Sequence, residues 1–166
     1  MVTLLQAESI KTKGEVYKLV TWAGQYIQPL TYRLLCLREA VDVDECPSLM
    51  QETWRLAILL STTGIRLRCG IRPMVWNIHE EKLKSLLEDD MTDWGFFNDL
   101  KLWIIVIGAL KSVTEAQRLW FSNEFKLAMV ARNSLTAYDE VEIKLAKYLW
   151  MPEHHRTEFF NFIQNI

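Results

Sequence analysis

The sequence predicts an all-α protein, a multi-helix bundle or irregular helical array with short connectors, in which residues 1–166 form a single helical domain. Three observations carry that prediction. Apolar residues recur at three- and four-residue steps along most of the chain. Six glycines and four prolines in 166 residues give a globular composition with few turns. The most apolar stretch, "DLKLWIIVIGALKS" (99–112), fits best as a helix enclosed by other helices.

Taken in order, "EVYKLVTWAGQYIQ" (15–28) places Val16, Leu19, Val20, Ala23 and Ile27 on one helical stripe. Pro29 then marks a break or the first turn of a new helix, over which Tyr32, Leu35, Cys36 and Glu39 stack. "DVDECPS" (42–48) is a connector, and Ser48, with Gln51 and Glu52 behind it, caps the following helix. That helix, 49–70, is apolar on both faces: Leu56, Leu59, Leu60 and Thr63 form one row, and Trp54, Ile58, Ser61 and Ile65 another. Gly70 is placed to end it. Asn77 with Glu80 reads as a capping pair for "IHEEKLKSLLEDD", whose buried side is Ile78, Leu83, Leu86 and Leu87. "MTDWGFFN" (91–98) carries enough aromatic weight to fold back on the domain.

The run Leu102–Leu110 is far shorter than the ~20 apolar residues that cross a bilayer, so no membrane span is expected. It holds β-branched residues, yet no second segment of similar character could pair with it as a strand, and an unpaired strand would strand its hydrogen-bonding groups. A helix apolar nearly all round remains, surrounded by others. Gly108 costs it ~1 kcal/mol relative to alanine, which close approach of a neighbouring helix would offset. Thr114 with Gln117 then caps "EAQRLWFSNEFKLAMVARN". Thr136 caps "AYDEVEIKLAKYLW", with Val141, Leu145 and Tyr148 on one face and Ile143, Ala146 and Trp150 on a second. "HRTEFFNFIQNI" closes the chain as an aromatic helix.

Formal net charge is −2, so no global basic field favours nucleic acid. Arg55 and Arg66, three turns apart, share a side of their helix and read as partners of carboxylates on neighbouring helices. Cys36, Cys46 and Cys69 are too few and too widely spaced for a zinc site or a disulfide framework; reduced thiols are expected. The start of the chain lacks the pattern of a secretory signal, which implies an intracellular protein. "EHH" (153–155) reads as a solvated helix start, "HEE" (79–81) lacks the second histidine of a zinc motif, and "EDDMTD" (88–93) lacks the spacing of a calcium loop. No phosphate loop, nucleophile elbow or Cys–His signature occurs. The chain is therefore read as non-catalytic, with no cofactor, no metal and no catalytic residue. Its marked residues are packing anchors: Trp54, Leu102, Trp103, Gly108, Trp120, Phe121, Leu149 and Trp150.

Four segments in order add a resemblance. These are "ETWRLAILLSTTGIRLRCGI", "DLKLWIIVIGAL" with its Gly108–Ala109 pair, "EAQRLWFSNEFKLAM" with Arg118, Trp120 and Phe121, and "AYDEVEIKLAKYLWMPEHH" with Tyr148, Leu149 and Trp150. Over residues 49–160 the chain resembles the C-terminal part of the fungal-specific transcription factor domain, the regulatory region downstream of a binuclear zinc cluster. The resemblance implies a nuclear regulatory module acting through protein partners. It departs from the pattern at Tyr138, where relatives carry tryptophan, and in lacking the six clustered cysteines, so direct nucleic acid binding is not carried over. The other reading is an independent intracellular helical protein, enzyme or scaffold, similar only in packing. Phe96, Phe97 and Phe159–Ile163 are expected to expose apolar surface that a homodimer could cover.

Overall fold

The computed structural model describes residues 23–36, 48–68, 76–89, 93–131 and 138–166. Every regular element among them is a helix, so the chain is all-α. The chain divides into two compact units, one within residues 15–93 and one containing residues 94–166. Val16, Leu19, Val20, Cys46, Cys69, Gly70 and Thr136 lie outside the described residues.

In the first unit, a π-helical turn, Ala23–Ile27, leads into α1, Gln28–Cys36. Pro29 is the second residue of α1 and falls in its first turn, where a missing N–H is tolerated. The buried residues are Ile27, Thr31 and Leu34, at steps of four and three, so the row of Tyr32 and Leu35 faces out. The helix α2, Leu49–Arg68, opens on the expected reciprocal cap: the Gln51 N–H donates to Ser48 Oγ and the Ser48 N–H donates to Gln51 Oε1, both at 3.2 Å. Both α1 and α3, Trp76–Glu88, pack on α2, which is why α2 buries Leu56, Leu59 and Leu60 as well as Ser61 and Ile65. Two of its buried hydroxyls turn back on the helix, Thr53 Oγ1 donating to the Leu49 carbonyl and Thr62 Oγ1 to that of Leu59. On α3 the inward row is Glu80, Leu83 and Leu87, which sends Ile78 outward to 60% exposure. Asn77 already lies inside α3 and does not precede it.

The second unit is arranged around one helix. After the 3-10 turn Gly95–Phe97, where Gly95 has φ 36°, come α4, Asn98–Lys111, α5, Glu115–Val130, α6, Tyr138–Leu145, and α7, Pro152–Gln164. The 3-10 turn, α5, α6 and α7 all pack on α4, so residues 102–109 are buried without exception. The apolar run that the sequence singles out is thus a central helix. Thr114 caps α5 as expected, accepting from the Gln117 N–H at 3.2 Å.

Two expectations fail here for one reason each. α6 stops at Leu145, not Trp150, because the chain tightens: the Lys147 N–H donates to the Lys144 carbonyl and the Tyr148 N–H to that of Leu145. Val141 and Leu145 point inward, but Ile143 is 67% exposed. In the "EHH" segment only Glu153 is solvated, since His154 and His155 are 2% and 0% exposed. His155 shares its row with Phe159 and Phe162, four and seven residues on, and that row is the inner face of α7.

Candidate functional site

Trp103, Leu102, Phe121, Leu149 and Trp150 are all 3% exposed or less, and Gly108 is buried with them. Trp103 reaches from α4 to the end of α6, its indole N–H donating to the Leu149 carbonyl at 3.2 Å. That bond satisfies a carbonyl that the shortened α6 leaves without a helical partner. The Trp150 indole N–H donates to Glu142 Oε1 at 3.1 Å, and Arg156 Nε and Nη2 hold the same carboxylate. Around Trp150 gather Phe159, 5.4 Å away edge-on, and His155, 4.9 Å away, while Phe125 meets Phe159 and Phe162 edge-on. His155 Nδ1 accepts from the Met151 N–H at 3.1 Å and so closes the start of α7.

Two expected anchors differ. Trp120 is half-buried, resting edge-on against Phe121 at 4.9 Å. Trp54 is 45% exposed. It belongs to the outward stripe of α2 with Gln51, Arg55 and Ile58, none of which is buried, while the rows on either side of it, at 52, 53, 56 and 57, are.

Polar chemistry in the first unit converges on Glu52, which the sequence reading used only as a first-turn acid. Arg55 Nε and Nη2 donate to its two oxygens at 2.6 and 2.9 Å, and Lys82 Nζ on α3 reaches Oε1 at 2.5 Å. Arg55 Nη1 also donates to the Leu34 carbonyl at 3.0 Å, tying α1 to α2. The arginine therefore pairs on its own helix, not with a neighbour's carboxylate. Hydrogen bonding from Arg55 is the largest influence on Glu52; burial opposes it, Lys82 adds to it, and the carboxyl is held down at about 2. His79 is pushed below its ordinary value by burial first, then by the Arg55 and Lys82 charges, with Glu52 opposing. The carboxylate already accepts from two cations, an arrangement that joins three helices.

Among the described residues, no group of three His, Cys, Asp or Glu side chains is gathered for a metal, and no helix is long and apolar enough to cross a membrane. Cys36 is a free thiol.

A feature the sequence reading missed lies on α5. Its inner face buries Phe121, Ser122 and Phe125, while Leu119, Leu127 and Val130 point away at 60%, 64% and 76% exposure. Their spacing of eight and three residues makes a second stripe that could have been read from sequence. Near the start of α4, Trp94 folds back as expected, under Lys101, whose Nζ stands 5.9 Å from the ring centroid. Phe96 is fully exposed and Phe97 half so. In the closing helix Phe159 and Phe162 are buried and Phe160 is exposed.

No family model, no curated protein and no solved structure matches this chain.

Proposed function

We propose that this chain is a non-catalytic module that works by contact with a protein partner, a regulatory part of the kind its resemblance to the fungal-specific transcription factor domain implies, nuclear and without DNA contact of its own. The observation that supports this reading is the outward stripe of α5. Leu119, Leu127 and Val130 keep large apolar side chains in water on a helix whose other face is already packed. Such a stripe lowers its free energy when a partner's groove or helix covers it. Helix α5 is anchored through Phe121 and Phe125 in the core, so it presents the stripe on a rigid rod. Charge agrees with the denial of DNA contact, since the formal net charge is −2.

The test is affinity capture from the native cell with the wild-type chain and with a Leu119→Asp, Leu127→Asp variant whose melting temperature matches wild type. A protein partner recovered with wild type and lost with the variant supports the reading. Equal recovery overturns the assignment to α5, and tight binding of a labelled duplex at physiological salt overturns the absence of DNA contact. Light scattering distinguishes the homodimer: self-association abolished by the same variant makes the partner a second copy.

A further inference from the structure

We propose that the hollow formed by the π-helical turn, α1 and the C-terminal part of α2 binds a small organic carboxylate, held by Arg66. The argument starts from two arginines on one helix. Arg55 spends its guanidinium on Glu52 and the Leu34 carbonyl. Arg66, three turns further along, is half-buried, and its Nε is shielded from solvent with no hydrogen-bond partner. Among the described residues Arg66 has no ion-pair partner either. A guanidinium cannot shed its charge, and one of its five donors, the Nε–H, is here shielded without an acceptor, which is costly. An anion arriving at Arg66 offsets that cost, and a carboxylate matches the guanidinium fork in shape.

The space for such a ligand is present. Arg66 lines a hollow of about 420 Å³ together with Gly24, Gln28, Pro29, Tyr32 and Leu35, a volume within the range of about 300–1,000 Å³ common to small-molecule sites. Among the described residues lining it none is acidic, so none of them competes for the cation. Pro29, Tyr32 and Leu35 offer ring and aliphatic surface, and Gln28 an amide. One cation beside an apolar wall suits a monoanion with a hydrocarbon or aromatic body better than a bare phosphate. The backbone supports the same reading. Pro29 has no N–H for the carbonyl four residues before it, and the chain there widens into the π-helical turn Ala23–Ile27; insertions of this kind are frequent at functional sites. At Gly24 an added Cβ would meet nothing within 4 Å, so this edge of the hollow is open, not filled by packing.

The experiment titrates the full chain with sodium benzoate, benzyl alcohol and inorganic phosphate, read by calorimetry and by amide chemical shifts. Saturable benzoate binding is expected, at least tenfold tighter than that of the alcohol or of phosphate. Arg66→Gln should weaken benzoate at least tenfold. Gly24→Leu, which places a side chain into open space, should weaken it as well, and keeps the test readable if the arginine variant disturbs α2. No saturable binding of benzoate, binding unchanged in both variants, or phosphate binding tighter than benzoate would each overturn the proposal. The site is independent of the α5 stripe: partner capture can fail while benzoate binds, and the reverse.

Discussion

The ring of Phe121 on α5 occupies the space that a side chain at position 108 on α4 would need. A Cβ built on Gly108 would stand 2.6 Å from both Cδ1 and Cζ of that ring, well inside van der Waals contact. Glycine in the middle of the most buried helix is therefore the condition for α4 and α5 to approach so closely. Gly108→Ala is expected to destabilise the protein by about 1–3 kcal/mol through overpacking, although alanine is intrinsically better in a helix by about 1 kcal/mol. Phe121→Ala alone should cost about 3–5 kcal/mol. The double variant should cost clearly less than the sum, because the vacated ring space accepts the methyl. Urea titrations of the four proteins check this, and simple additivity would refute the close approach.

Two tryptophans make a matched pair. Trp103 is 0% exposed and Trp54 is 45% exposed. Trp103→Ala should cost about 3–5 kcal/mol, and Trp103→Phe about 1–2 kcal/mol, since it leaves the Leu149 carbonyl without its donor. Trp54→Ala should cost about 1 kcal/mol or less, as expected of a surface position. Denaturant midpoints decide, and equal losses at positions 54 and 103 would contradict the different burial of the two rings.

Acid should lower the stability in two stages of known sign. His79 is held below its ordinary 6.5, so the unfolded chain takes up the proton first and stability begins to fall as pH drops through 6.5. Glu52 is held at about 2 against an ordinary 4.5. Its contribution is complete above 4.5 and is lost as pH falls from there towards 2, at most about 2–3 kcal/mol by linkage. Glu52→Gln should remove the lower step and keep the upper one, while His79→Gln should do the opposite. Stability curves from pH 7 to 2.5 measure both.

The start of α7 rests on His155, which is fully buried and accepts the Met151 N–H. His155→Leu fills much of the volume but leaves that donor unsatisfied, at an expected cost of about 1–3 kcal/mol. His155→Asn can supply an acceptor on a short side chain and should recover part of it. A leucine variant as stable as wild type would show that the bond contributes nothing.

Some of this was legible in the chain and some was not. The caps Ser48–Gln51 and Thr114–Gln117 were readable because a cap bonds residues three apart, within reach of local geometry. The enclosed helix 98–111 was readable because an all-round apolar surface admits one environment. The phase of a two-sided helix was not: Ile78, Leu35 and Ile143 are as apolar as Leu83, Leu34 and Val141, and only contact with neighbouring helices chose between them. Polar residues were misread in the same way. Glu52 looked like a first-turn acid, and His154 and His155 like a solvated start.

By itself, then, the amino-acid order determined helix as the secondary structure, several of the helix ends, and the identity of the central rod, since hydrophobic periodicity and capping act over a few residues and need no partner. Tertiary structure alone decided which side of each helix is dry, where α6 stops, that Phe121 takes the place of a side chain at Gly108, and that Arg66 stands beside a hollow with no ion-pair partner among the described residues. Those outcomes depend on side chains far apart in sequence competing for the same space and the same charge, and local sequence carries no record of that competition.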